Sequence, residues 1–525
     1  MASYAANPRF AGLRARSLPS ARVLGTVSFA LLLLASVLLR SRYLHVHFWV
    51  DEGLSVGVAS HGLADIPAVL RQDGSPPLYY ALLHGWMVLF GRTESHTHAL
   101  SLVLATLCVP AALWAGRSLF GTRAGWIAAG LAALSPFLTA YAQETRMYAL
   151  VVLLSILCTA AFAHIFAFRR RRHLPLFSVT LALLLYTHNW TFFYGLASVI
   201  AVWLCWRAAS DRRALLRDAA IGYGGALVLF APWIPSVIFQ TRHTGAPWAA
   251  HPGYHSLRNA IEGLLGGEAA SVLLLLVAGS GLALLLRRTD TRRTALASLL
   301  ALALLTPLIA WIFSQLSPAW AARYLAVALG PFLLLAAAGL ARARALELAT
   351  LALLAVLWVS APGPDRKSNA HYVVASFAGP LLPGDWVVST EPEQLPVVSY
   401  YLPPGLRFAT VFGPARDPGV VDWRDGVPRL ERTNVAADLE PILRGMPVGG
   451  HLLLVRPIFW DDGHWKAPWS RLVKTRTGEW VRALRRDKRF EPGYAVPGPL
   501  REEDPTSRDP GPNPLRGVLY TKVAN

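Results

Sequence analysis

Charge is scarce in this chain. Asp, Glu, Lys and Arg make up 15% of 525 residues, against about 25% in soluble domains, which argues against an ordinary cytosolic protein. Cysteine is scarcer still. Cys108, Cys158 and Cys205 all fall inside apolar runs, so no disulfide framework and no cysteine-based zinc site is available. The apolar zone holds no glycine-rich phosphate loop and no Asp-x-Asp pair suited to a nucleotide sugar. No glycine period occurs, and an apolar fraction of 54% excludes disorder and collagen-like repetition. No internal repeat is evident, which counts against a transporter built from duplicated halves.

What is present is apolar length. Residues 1–361 form a succession of runs near the ~20 residues that cross a bilayer, whereas residues 362–525 are rich in Pro, Gly and mixed charge. Most of the net charge of +19 sits in the first zone, with 28 Lys/Arg against 12 Asp/Glu; the tail has 22 against 19. These basic residues cluster between apolar runs, a membrane-orientation pattern rather than a nucleic-acid footprint. The run 23–39 follows Arg9, Arg14, Arg16 and Arg22, and no small-residue cleavage site follows it. It reads as an uncleaved first span with a cytoplasmic N-terminus rather than a signal peptide.

Keeping the basic loops 117–123, 169–173, 207–217, 287–293 and 342–344 cytoplasmic gives about eleven spans. They fall near 22–42, 96–116, 124–141, 146–168, 174–188, 190–207, 217–238, 270–286, 294–313, 323–341 and 345–361. Segment 77–90 then lies along the outer surface, with Pro76-Pro77 as its helix start, and 54–70 reads as an amphipathic surface helix. The expected fold is mainly α: a polytopic plasma (inner) membrane protein with interfacial helices in its first outer loop. The tail reads as a small extracytoplasmic α/β domain, with strands near 386–389, 408–412, 451–455 and 518–523 and helices near 393–401, 439–444 and 469–486. Outer segments 43–91, 143–146, 240–268 and 314–323, with the 187–189 turn, share one face.

The chemistry collects on that face. Asp51-Glu52 stands just past the first span, where unpaired carboxylates are expensive; Asp51 is a candidate general base, with Glu52 shaping its field or holding a cation. A Gly/Pro-rich turn follows, Asp73-Gly74-Ser75-Pro76-Pro77-Leu78-Tyr79-Tyr80, and then His84, a suitable lining for a polar pocket. Arg146 begins one span and Arg323 begins another. Either could snorkel to headgroups or grip a phosphate through its planar fork of donors. Two of them near one carboxylate favour an anionic headgroup substrate. The Trp-rich acidic turn at 459–465 reads as packing within the tail, because no ligand set with metal spacing accompanies it.

Asp51-Glu52, then Asp73…Pro76-Pro77-Leu78-Tyr79-Tyr80…His84…Phe90-Gly91, then Ser135-Pro136…Tyr141…Gln143-Glu144…Arg146-Met147-Tyr148 and finally Arg323-Tyr324 resemble the GT-C membrane glycosyltransferases. The likeness is to the protein-mannosyltransferase-like branch, also described as RgtA/B/C/D-like, and covers roughly residues 20–345. Two departures are visible. Ser95-His96-Thr97-His98 stands where the family often has an arginine before the second span, and Ser75 stands where it often has a histidine before the double proline. The resemblance implies inverting transfer from a polyprenyl-phosphate sugar to a lipid, glycan or protein hydroxyl. Asp51 would act as base, supported by Glu52. Arg146 and Arg323 would hold the donor phosphate, flanked by Tyr148 and Tyr324. Glu144 would orient Arg146 or meet the acceptor. His84 and His188 would be donor contacts or ligands of a divalent cation, and the lipid tail would lie between spans. The rival readings are a transporter or flippase of a lipid-linked or anionic substrate, and a ligase or polymerase using a diphosphate-linked glycan.

Overall fold

The computed structural model describes residues 21–287, 291–343, 345–360, 367–459, 465–496 and 514–525. The arginines before residue 21, most of the Trp-rich turn at 459–465 and nearly all of 501–514 lie outside the described residues. The chain runs through α1 (Ala21–Arg40), α2 (Val50–Ala59), α3 (Ile66–Asp73), α4 (Leu78–Phe90), α5 (Glu94–Phe120), α6 (Thr122–Leu134), α7 (Pro136–Tyr141), α8 (Tyr148–Phe162), α9 (Leu174–Thr187), α10 (Thr191–Ala208), α11 (Arg212–Phe230) and α12 (Ile234–His243). It continues through α13 (Tyr254–Leu265), α14 (Glu268–Leu286), α15 (Thr291–Leu316), α16 (Ala326–Leu340) and α17 (Ala345–Val359).

Among the described residues, eight helices are long and apolar enough to cross a membrane. The other three expected spans are shorter helices for local reasons. Ser135-Pro136 ends α6 and starts α7, with the Ser135 hydroxyl accepting from Leu138 N at 3.4 Å. α9 stops at His188, whose backbone is extended, and α17 is 15 residues long. The first outer loop folds as three helices rather than the two anticipated, because a turn at 60–65 separates α2 from α3. Pro77 caps α4 as expected.

Arg40 shows how proline shapes this interior. Pro136 has no N–H to offer the Ala132 carbonyl four residues back. Arg40, fully buried at the end of α1, donates to that carbonyl and to the Ala105 carbonyl at 2.8 Å. Truncating Arg40 would leave a buried carbonyl unpaired, a loss of about 1–3 kcal/mol.

The tail forms a six-stranded sheet with β1 (Trp386–Ser389), β2 (Arg407–Thr410), β3 (Gly413–Pro414), β4 (His451–Pro457), β5 (Phe490–Val496) and β6 (Leu515–Lys522), in the order β3-β2-β1-β4-β6-β5. β1 pairs in parallel with β2 and β4, and β6 is antiparallel to β4 and β5. The tail helices are α18 (Ala370–Ala375), α19 (Leu395–Tyr401), α20 (Gly426–Arg432), α21 (Glu440–Gly445) and α22 (Pro468–Arg486). Strand alternation sorts the apolar side chains between two faces. Val387, Leu453, Val455 and Leu519 join the core that runs on into the helical bundle. Val388, Leu452, Leu454 and Tyr520 pack with Trp469 and Trp480 of α22.

The tail sits directly on α2. A side chain at Gly53 would meet the Val397 backbone at about 2.6 Å, and one at Gly57 would collide with Gly419. Two glycines four apart on one helix face thus admit α19 and the 419 loop. Tyr401 of α19 donates to Glu94 Oε1 and accepts from Phe48 N, both at 2.7 Å.

Candidate active site

α2 begins with Val50-Asp51-Glu52, placing two carboxylates in its first turn, where they complement the helix dipole. Consecutive residues on a helix point about 100° apart, so the pair divides its work. Glu52 turns inward, fully buried. It accepts from Trp49 N at 3.3 Å, half of a capping box, from Thr145 N at 2.8 Å and from His98 Nε2 at 2.6 Å. Lys367 Nζ lies 2.9 and 3.0 Å from its two oxygens. Burial alone would raise the Glu52 carboxyl, but Lys367 and His98 hold it down at about 2. His98, near the start of α5, is therefore a partner of Glu52.

Asp51 turns the other way, toward two guanidiniums. Arg323 Nη2 stands 3.1 Å and Arg146 Nη2 3.8 Å from Asp51 Oδ2, as ion pairs rather than aligned hydrogen bonds. Arg146 also donates to Ser55 Oγ at 3.1 Å, one turn along α2. These arginines, 177 positions apart, meet because α8 and α16 pack together, fastened by a hydrogen bond from Ser155 to the Val327 carbonyl. Gly330 leaves no room for a side chain against Ser155. Arg323 Nε donates to the Tyr148 hydroxyl at 3.1 Å. The Arg323 guanidinium lies 5.4 Å from the ring centres of Trp49 and Tyr324 and 5.9 Å from Trp248. His188 meets the Tyr324 ring edge to face at 4.7 Å.

Asp73, Tyr79, Tyr80 and Glu144 fill out the same cluster. Burial raises the Asp73 carboxyl against the opposing pull of Ser75 and Arg146. Burial also raises Glu144, to about 7, with Lys367 opposing and Glu52 reinforcing. Several buried polar atoms without a hydrogen-bond partner lie here: Asp51 Oδ2, Asp73 Oδ2, the Tyr79 and Tyr80 hydroxyls, Glu144 Oε2 and Arg146 Nε. Buried polar groups are normally paired, so these atoms are open to partners that a polar ligand could supply. No group of three or more His, Cys, Asp or Glu among the described residues could hold a metal ion. For His84, expected as a donor contact or a cation ligand, the structure shows the bond of one ring nitrogen. Its Nδ1 bonds the Ala59 carbonyl at 2.9 Å and ties α4 to the end of α2.

Sequence reading missed Lys367, His98, Ser55, Trp49 and Trp248. Lys367 carried a signal: it is the first lysine in the chain.

Glu144 gives a pH prediction. The folded protein keeps its proton up to about 7, while the unfolded chain releases it near 4.5. The stability from the neutral carboxyl is therefore present below about 4.5 and lost as pH rises to about 7. Glu144→Gln is expected to stay neutral, so its melting temperature should exceed that of the parent by several degrees at pH 8 and by little at pH 4.5. Parallel melting curves across that range would contradict it.

The sequence matches no protein-family model and no curated protein. The structure resembles that of ArnT from Cupriavidus metallidurans in the apo state, with a TM-score of 0.59 and 15% identity over 83% of this chain and 93% of that one. It also resembles ArnT from the same organism bound to undecaprenyl phosphate, with a TM-score of 0.60 and 14% identity over 96% and 99%. The mycobacterial arabinofuranosyltransferase AftD gives a TM-score of 0.52 and 14% identity over 97% of this chain, which spans 40% of AftD. The chain therefore shares their fold: a helical bundle rich in apolar helices, followed here by a small sheet.

Proposed function

We propose that the protein is an integral-membrane glycosyltransferase of the GT-C kind. It moves a sugar, with inversion, from a polyprenyl-phosphate carrier to a hydroxyl of a lipid, glycan or protein at the outer face of the plasma membrane. The observation that carries this reading is the meeting of Asp51 with Arg146 and Arg323 amid orphaned polar atoms. The likeness to ArnT, one structure of which holds undecaprenyl phosphate, supports a lipid-phosphate donor, and the motif order from Asp51 to Tyr324 supports the protein-mannosyltransferase-like branch. Residues 1–361 form the transferase domain and 362–525 an extracytoplasmic domain, with the N-terminus cytoplasmic.

In this reading an entering phosphate competes with Asp51 for the two guanidiniums and frees the carboxylate. Asp51 then takes the acceptor hydroxyl proton as that oxygen attacks the anomeric carbon. The bond from that carbon to the phosphate oxygen breaks, and Arg146 and Arg323 hold the charge on the departing phosphate. Tyr148 and Tyr324 flank the phosphate, while Asp73, Tyr79, Tyr80, Glu144 and His188 line the sugar and acceptor side. Glu52 holds the frame.

The test is an assay of the purified full chain in lipid nanodiscs against a panel of polyprenyl-phosphate sugars, with mass detection of the glycosylated product. Transfer from at least one donor is expected. Accumulation of a lipid-linked sugar inside vesicles without any new covalent bond would replace this reading with a transporter.

A further inference from the structure

Lys367 is the point at which the tail enters the site. It is 6% exposed and Glu52 is fully buried. Its ammonium also donates to the Gln143 carbonyl and lies 3.3 Å from His98 Nε2. A buried ammonium is unfavourable unless it is paired and hydrogen-bonded, and here it is paired with two carboxylate oxygens and a backbone carbonyl.

The partners of Glu52 give this cluster its meaning. Trp49 N stands two residues before Asp51, and Thr145 N one residue before Arg146. The Gln143 carbonyl that Lys367 engages belongs to the same 143–146 turn. Lys367 therefore ties the start of α2 to the turn that carries Arg146, while α19 presses on the Gly53 face of α2. We propose that Lys367 is a positioning residue: by clamping Glu52 and the 143–146 turn it sets the separation of Asp51 and Arg146, making the tail part of the transferring unit. This inference rests on the transferase reading above.

Lys367→Met alone would strand a buried carboxylate, so the informative variant is charge-balanced, Glu52→Gln with Lys367→Met. Thermal unfolding, undecaprenyl phosphate binding and transfer kinetics are measured in nanodiscs beside the parent. We expect a folded protein, donor KM within about 3-fold of the parent and kcat lowered about 10- to 100-fold, because a displacement of about 1 Å can cost 10²-fold. A folded pair with parental kcat would overturn the inference and leave the transferase reading intact. If the parent transfers sugar from no polyprenyl-phosphate donor, it is the transferase reading that fails. Should the pair not fold, Lys367→Arg carries the test: lowered kcat at unchanged donor KM supports the clamp, and unchanged kcat overturns it.

Discussion

Asp51→Asn is expected to lower kcat for sugar transfer by about 10²- to 10⁴-fold, the range that a positioned general base supplies, without weakening the grip on donor phosphate. The second half separates two roles for one side chain. Asp51 lies against both guanidiniums. A carboxylate there opposes an incoming phosphate and relieves the repulsion between the arginines. Replacing it with a neutral amide of the same shape removes the proton acceptor and the competitor together. Undecaprenyl phosphate should therefore bind the variant as tightly as the parent or tighter, read by titration calorimetry in nanodiscs. A variant that transfers sugar at the parental rate would remove Asp51 from proton transfer. One that binds the lipid phosphate more than about 10-fold more weakly would make Asp51 part of donor binding.

How much of this could be read from the amino-acid order depends on the range of the interaction. Apolar length is local, so the long helices fall close to their expected positions, and 77–90 emerges as a short helix opened by Pro77. Strand alternation is also local, so β1, β2, β4 and β6 lie where the sequence puts them. β5 escapes because Pro492 and Gly493 interrupt its pattern, and the pairing with β6 is irregular at that point. The meeting of Asp51, Arg146 and Arg323 was legible as a shared membrane face. Which way each side chain points was not, since the opposite fates of Asp51 and Glu52 follow from the angular offset of neighbours on α2. The link from Lys367 to Glu52 spans 315 positions, and no periodicity reports such a contact. The bond from His84 Nδ1 to the Ala59 carbonyl spans 25 positions, and no local pattern reports it either.

The two arginines should differ in what their loss does. Arg323→Gln removes the guanidinium that is 3.1 Å from Asp51 and bonded to Tyr148. At 25% exposed it is the more accessible of the two, so the expected result is a fall in kcat of about 10²- to 10³-fold, comparable to losing one preorganised donor to a developing anion, with a smaller loss of stability than at Arg146. Arg146 is 8% exposed and holds Ser55 and the Asp51 carbonyl as well. Arg146→Gln should therefore lose stability together with turnover. Arg323→Lys keeps the charge but not the planar fork, and should recover part of the rate. If both guanidiniums act on one leaving phosphate, their effects are not independent, and the double variant should fall well short of the product of the single losses. A product that is fully multiplicative, or losses confined to acceptor KM, would mean that the arginines serve separate ligands and that the shared phosphate is the wrong picture.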